Sequence, residues 1–165
     1  MENNKLHYVV ATAIIVKGDK YLILKRSDRE KAYPGRWTVP GGKLERKDYE
    51  NKLPTKQNDK NWYGVIEELI KREVKEETNL EVKDIKYLID MTFIRPDNIP
   101  VVVLSYYCMY NSGETKVSSD FTDFKWVNID EAKNFNLIEG IYEELEMVED
   151  ILNGKEIKRF EKFKS

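Results

Sequence analysis

Apolar residues in the first part of the chain follow the short period of β-strands. Residues 7–16 and 20–26 are rich in β-branched and aromatic side chains, and the turn pair Gly18-Asp19 lies between them. This pattern predicts a β-hairpin. Three further runs of the same character also predict strands: 85–95, 99–110 and 124–129.

The spacing of apolar residues becomes helical in two segments. The first runs from about Gly64 to Asn79, a residue that tolerates the left-handed conformation found just past a helix end. Residues 140–152 predict a second amphipathic helix. The strands and helices together predict an α/β (α+β) fold with a mixed sheet covered by helices. The inward side chains of the second helix should be Ile141, Leu145, Val148 and Leu152.

Two polar segments lie outside these elements. The stretch at 47–61 has too few apolar residues to contribute to a core, so it should be a surface loop. The basic tail at about 154–165 also carries Phe160 and Phe163. We expect it to form a short amphipathic helix or a frayed end rather than a site for RNA or a membrane.

Length and charge narrow the class of protein. A chain of 165 residues fits one domain, residues 1–165. The charged fraction of 35% and the net charge of −2 are ordinary for a globular protein, and nucleic acid is not an expected partner. No basic leader with an apolar core and no apolar run near the roughly 20 residues of a membrane span is present. We therefore expect a cytoplasmic location and no membrane contact.

Histidine and cysteine are too scarce for two common kinds of site. His7 is the single histidine and Cys108 the single cysteine. A zinc cluster of His and Cys would lack ligands, and a Ser-His-Asp triad could draw only on His7. Cys108 should be a small buried residue in its strand.

Three glutamates near the end of the first predicted helix fall on its apolar side. At about 100° per residue, Glu73, Glu76 and Glu77 share the arc of the apolar stripe. Half-buried carboxylates about 6 Å apart repel by roughly 3 kcal/mol per pair, and the negative end of the helix dipole adds to this cost. A hard cation, Mg²⁺ or Mn²⁺, would relieve it. The alternative is a solvated acidic patch at a frayed helix end.

A Gly-Gly turn precedes this helix. Residues 40–45, PGGKLE, let the backbone approach a ligand closely. With Asp48 and the run REVKEETNL at 72–80, they resemble the Nudix box, in which Gly42 would be the opening glycine. The similarity spans about residues 7–152.

The chain departs from the Nudix box in three ways. Asp48 replaces the box glutamate, and Asn79 replaces a glycine but still permits the left-handed turn. Between Asp48 and Arg72 lie 23 residues instead of seven, which predicts an inserted loop at about 49–63. We interpret this loop either as a passive surface segment or as a lid that carries Trp62 or Tyr63 toward a base.

The resemblance implies an α/β/α sandwich and a function. The expected enzyme is a Mg²⁺-dependent hydrolase (Mn²⁺ is the alternative ion) that cleaves a diphosphate bond in a nucleoside diphosphate linked to another group, such as a nucleoside triphosphate or nucleotide sugar. Glu73, Glu76 and Glu77 would hold the metal together with the carbonyl of Gly41, and water would be the nucleophile. The catalytic residues would be Glu73 and Glu76, with Glu73 favoured as general base.

Further residues receive supporting roles. Asp120 resembles a loop acid that completes the metal site in the family, and Asp123 is its rival. Arg72 should point away from the three acids, toward Glu68 and Asp48, and so brace the box structurally together with Gly42. Three cations are candidates for binding substrate phosphates: Arg26, Arg36 and Lys43.

Other functions stay open at this point. A catalytically weak nucleotide-binding or sensing module could share the fold, and an RNA-interacting protein would use the basic tail. The expected partner is a small nucleotide diphosphate. The sequence does not select one compound, because base and leaving-group pockets lie in variable loops, and it leaves a homodimer open.

Overall fold

A computed structural model describes residues 4–58 and 60–164. Its elements, in chain order, are β1 (Tyr8–Lys17), β2 (Lys20–Arg26), β3 (Trp37–Thr38), β4 (Gly41–Lys43), a 3₁₀ helix (Arg46–Asp48), α1 (Val65–Thr78), β5 (Glu81–Ile94), β6 (Pro100–Ser112), β7 (Phe121–Val127), α2 (Ile129–Ala132), α3 (Ile141–Leu152) and a final 3₁₀ helix (Glu161–Phe163).

The strands form one mixed sheet. Its main order is β3-β2-β1-β6-β5, while β4 also pairs with β1 and β7 with β2. β1 and β6 are parallel, and the other pairs of strands described here are antiparallel. The mixed sheet predicted from the sequence is therefore confirmed.

β1 changes partner along its length, and this change positions the glycine turn. Its end pairs with β2, with Val16 opposite Tyr21. Its middle pairs with β4, with Thr12 opposite Gly41. β2 also pairs with β3 and β7. The strand that carries the Gly-Gly pair thus lies alongside β1, where α1 packs.

Each face of the sheet buries its own apolar cluster. Ile14 and Val16 belong to the cluster with α3, whereas Ala13 and Ile15 belong to the cluster with α1. Successive strand residues point to opposite faces, and the adjacent tyrosines of β6 likewise divide between the two clusters. Two helix layers against one sheet make the α/β/α sandwich that the resemblance implied.

The observed helices and strands agree with the predicted ones where the apolar pattern extends over many residues. α1 ends at Thr78, and Asn79 follows it with φ 62°, as predicted. β3, β4 and α2 were not predicted, because two to four residues are too few to display a period. Leu152 was predicted to face inward, but it is 43% exposed. That prediction is wrong, because α3 ends at this residue; Met147 is buried in the same helix instead.

The predicted loop at 49–63 is held by its own contacts, with residue 59 outside the described part. The indole N–H of Trp62 donates to the carbonyl of Lys52 at 3.0 Å, and the Trp62 ring lies 5.4 Å from that of Tyr49. Tyr63 is exposed. Because Trp62 is held inside the loop, the structure favours the passive surface interpretation over the lid.

The C-terminal tail packs against α3. The Lys162 ammonium lies 3.6 Å from Glu146 and 3.3 Å from Asp150, both on that helix. The tail contains one turn of 3₁₀ helix, Glu161–Phe163, and residue 165 lies outside the described part. Among the helices described, none is both long enough and apolar enough to cross a membrane.

Candidate active site

The last turns of α1 rest on the Gly-Gly turn of β4. A Cβ atom added at Gly42 would overlap the carboxyl group of Glu73, and one added at Gly41 would meet the backbone of Ala11 and Thr12. The backbone N–H of Gly41 donates to the Glu77 carboxylate at 3.0 Å. Glycine at position 42 therefore leaves room for the Glu73 carboxyl group, and glycine at position 41 lets β4 lie close to β1.

Glu77 is the most perturbed acid of this site. Burial raises the pKa of Glu77 to about 8, the hydrogen bond from Gly41 opposes that rise, and the charges of Glu73 and Asp120 add to it. Burial also raises the pKa of Glu73, although Arg72 counteracts it. The arrangement thus holds negative charge at a place where water solvates it poorly.

Arg72 lies among the acids rather than away from them. Its guanidinium is 2.9 Å from both Glu73 and Glu76 and 3.1 Å from Asp48. The expected contact with Asp48 is present, so the two residues are in contact although the long loop separates them in sequence. The predicted orientation away from the three acids is wrong, because the arginine side chain spans neighbouring residues of its own helix as well as Asp48.

Glu76 departs from the predicted buried arc. Its side chain is 58% exposed and turns to Arg72, four residues earlier. On the helix it lies at the margin of the apolar stripe, where the pull of the nearby guanidinium decides its direction. The three acids therefore do not meet at one point. In residues 4–58 and 60–164, no three His, Cys, Asp or Glu side chains already form a metal-binding group.

The loop before β7 brings a further acid to the end of α1. The N–H of Ser118 donates to the carbonyl of Glu77 at 3.1 Å, and that of Lys116 to the carbonyl of Thr78 at 3.0 Å. Asp120 acts on the pKa of Glu77 from this loop. Its rival Asp123 is instead 3.7 Å from Lys125 and accepts from the backbone N–H of Phe124. Of the two aspartates, Asp120 is the one whose charge acts on Glu77.

The three candidate phosphate-binding cations lie in different surroundings. The charge of Arg26 lowers the pKa of Glu77, although its guanidinium also binds Glu30 at 3.0 Å. Arg36 donates to the carbonyl of Leu137. Lys43 is exposed, with its ammonium 5.6 Å from the ring centroid of Tyr8. Of the three, the structure places Arg26 beside the acids.

The donor set suits a divalent cation. Glu73 and Glu77 offer carboxylate oxygens with raised pKa values. Ser118, whose backbone N–H donates to the carbonyl of Glu77, has a buried hydroxyl with no hydrogen-bond partner among the described residues. Hard cations prefer such oxygen ligands. An ion here would offset the charge that burial leaves poorly solvated.

One polar network on the opposite face was missed from the sequence. Ser105 donates to Glu144 of α3 at 2.8 Å, and Thr12 donates to Ser105 at 3.2 Å. A signal did exist, because Glu144 follows Ile141 by three residues and so shares the inward face of α3.

The fold and the acidic site define a class, the α/β/α proteins that hold acids at the end of the first helix over a glycine turn. A model of the NUDIX domain matches residues 6–148. The chain belongs to the Nudix family and is a Nudix hydrolase, and members of this family typically depend on a divalent metal ion.

Individual relatives are distant. The nucleoside triphosphatase NudI of Escherichia coli O17:K52:H18 is 23% identical over 139 residues, in an alignment that covers 78% of this chain and 86% of that protein. The crystal structure of a MutT NUDIX hydrolase from Burkholderia pseudomallei has a TM-score of 0.67 at 23% identity, covering 87% of this chain and 98% of its own.

A second solved structure is similar in shape. The NUDIX domain of Shewanella oneidensis NrtR, complexed with ADP ribose, has a TM-score of 0.68 at 18% identity and covers 90% of each chain. At these identities the likeness shows the fold, which is the one predicted.

Proposed function

We propose that this protein hydrolyses the diphosphate bond of a nucleoside diphosphate linked to another group, such as a nucleoside triphosphate or a nucleotide sugar, with Mg²⁺ or Mn²⁺. The observation that carries the proposal is the pair Glu73 and Glu77, both with raised pKa values, held on the Gly41-Gly42 turn. Family membership and the NudI relative support the substrate class.

The metal would be held by Glu73, Glu76 and Glu77 with the carbonyl of Gly41, and by Asp120. When bound, the ion supplies charge that offsets the diphosphate and polarises its phosphorus. Glu76 would have to leave Arg72 to join this set. The salt bridge is exposed, so its loss costs only about 0.2–1 kcal/mol.

An acid of the chain then accepts the proton released by the attacking water. Water attacks phosphorus, a new P–O bond forms, and the P–O bond to the leaving phosphate breaks. Glu73 accepts the proton of the attacking water, because a carboxylate with a raised pKa is a better base than an ordinary one. Arg26, beside Glu77, would attract the anionic diphosphate.

A nucleotide-binding module with little turnover is the second candidate. It is favoured by one observation, that Arg72 already forms ion pairs with Glu73 and Glu76. Such a module would bind a nucleotide diphosphate without releasing products.

One experiment separates the two candidates. The purified protein is incubated with nucleoside triphosphates, nucleotide sugars, ADP-ribose and dinucleoside polyphosphates, with Mg²⁺ or with chelator, and the products are identified. The enzyme should release products from at least one compound only with the metal, and Glu77→Gln should abolish release. Binding without any product would support the module, and equal release by the variant would reject the proposed site.

A further inference from the structure

A pocket of about 420 Å³ lies on the α3 face of the sheet. This volume falls within the roughly 300–1,000 Å³ typical of small-molecule sites. Its wall is mainly apolar, with Val10 and Val103 from the sheet and Ile138 and Ile141 from the segment entering α3. The pocket is therefore suited to a compact apolar or aromatic group.

The C-terminal tail supplies another wall. Phe160 and Phe163 line the pocket, and Lys162 between them is tied to Glu146 and Asp150 of α3. Phe160 is 74% exposed although it belongs to the wall. Two aromatic rings in the wall favour a flat occupant, because flat groups stack on such rings.

Three acids interrupt the apolar wall: Asp90, Glu139 and Glu144. Asp90 and Glu139 are exposed, whereas Glu144 is partly buried. Glu144 lines the pocket and accepts at Oε1 from Ser105, which in turn accepts from Thr12. The direction of this relay leaves Oε2 as an acceptor, and no group in residues 4–58 and 60–164 donates a hydrogen bond to it. Removal from water raises the pKa of Glu144 to about 7, with Ser105 opposing the rise. The acid therefore lacks the solvation that an exposed glutamate has.

The pocket and the acids of α1 are close along the chain. Val39 lines the pocket, and Gly41, two residues later, donates to Glu77. Two extended residues span only about 7 Å. Thr12, also in the pocket wall, is paired with Gly41 across β1 and β4. A molecule whose diphosphate lies at Glu77 can place an attached group in the pocket.

We infer that Glu144 is a specificity-determining residue, which accepts a hydrogen bond from an N–H group on a flat heterocycle carried by the substrate and seated against Phe160 and Phe163. This inference rests on the proposed function for the identity of the substrate as a diphosphate compound. It assigns to the basic tail a role in forming the pocket, in place of RNA or membrane binding.

The test measures binding without metal or turnover. Calorimetry in chelator compares AMP, GMP, CMP and UMP with ribose 5-phosphate, which lacks a heterocycle. The wild type should bind at least one nucleotide about tenfold more tightly than ribose 5-phosphate. Glu144→Gln should lose about tenfold or more for that nucleotide, since a hydrogen bond to a charged group is worth about 1.5–3 kcal/mol.

Three further variants keep the result interpretable. Ser105→Ala removes the hydroxyl that orients Glu144 and should weaken the same nucleotide several-fold, while Phe160→Ala should weaken all four nucleotides. Glu143→Gln removes the same charge one residue away, outside this pocket, and should bind as wild type does. Thermal melts establish that each variant is folded.

Kinetics supply the second readout. With a hydrolysed substrate, Glu144→Gln should raise KM about tenfold and leave kcat within about threefold. The inference is overturned if Glu144→Gln binds the four nucleotides in the same order as the wild type and with affinities within twofold of it. It is also overturned if ribose 5-phosphate binds as tightly as every nucleotide. If nucleotides bind selectively but nothing is hydrolysed, the proposed function fails and this inference stands.

Discussion

The two long helices each carry a partly buried acid toward the sheet, but they surround it differently. Burial raises the pKa of Glu77 of α1, and the negative charges of Glu73 and Asp120 add to that rise. Glu144 of α3 accepts from a relay of hydroxyl groups in an apolar wall. The first arrangement concentrates negative charge, which suits a cation. In the second, no described residue donates a hydrogen bond to Oε2 of Glu144, which suits a ligand with a hydrogen-bond donor.

The largest expected effect is a loss of kcat when glutamine replaces Glu77, compared with the same replacement at Glu144. Glu77→Gln should lower kcat at least about 100-fold, because it removes a metal-binding and charge-bearing oxygen. Glu144→Gln should leave kcat nearly unchanged. Initial rates at saturating substrate and Mg²⁺ measure both, with Glu67→Gln on the exposed side of α1 as the matched control. Similar kcat losses at positions 77 and 144 would remove the functional distinction between the helices.

The pH dependence of stability is the next largest effect. The pKa of Glu144 is about 7 in the folded protein, raised from 4.5, so between these pH values the folded state binds more protons than the unfolded one. Stability therefore falls as pH rises through this window, by at most about 3 kcal/mol at 1.36 kcal/mol per pH unit.

Glu144→Gln isolates this contribution. Denaturant unfolding at pH 5 and pH 8 should show that the wild type loses more stability than this variant over the interval. The other acids at the pocket, Asp90 and Glu139, and neighbouring Glu143 are unchanged in it. Glu67→Gln removes a charge on the exposed side of α1 and serves as reference. An identical pH dependence in wild type and Glu144→Gln would contradict the burial of this acid.

Gly42 tests how closely α1 must approach the sheet. In Gly42→Ala the new methyl group would overlap the Glu73 carboxyl, so Glu73 has to move and kcat/KM should fall about tenfold, which is about 1.4 kcal/mol. Gly18→Ala is the control, since its Cβ meets nothing within 4 Å but its φ of +62° is strained. That variant should lose roughly 1 kcal/mol of stability at unchanged rate.

Periodic features were predictable from the sequence. The hairpin, the span of α1 and the left-handed Asn79 follow from apolar spacing and backbone preference, which are local. The proximity of Asp48 to Arg72 across the long loop followed from the resemblance to the Nudix box.

Side-chain directions at the edges of a helix were less predictable. Glu76 lies at the margin of the stripe of α1, where a salt bridge worth less than about 1 kcal/mol turns it outward to Arg72. Glu144 has the inward spacing of its helix, yet its partners Ser105 and Thr12 come from strands 39 or more residues away. The spacing of residues along one helix does not indicate its contacts with distant strands.

A substitution at the end of α3 should have the smallest effect. The inward face of α3 stops before its last residue, whereas the inward face of α1 continues into the acidic site. Leu152→Ala should lower the free energy of unfolding by less than about 1 kcal/mol, because the side chain is 43% exposed and most of its surface stays in water in either state. Leu145→Ala in the same helix should cost about 2–5 kcal/mol, since that side chain is 0% exposed and leaves a cavity. Chemical denaturation of both variants measures the difference. Equal losses would mean that the last turn of α3 is packed as tightly as its middle, and the inward face first predicted from the sequence would then hold along the whole helix.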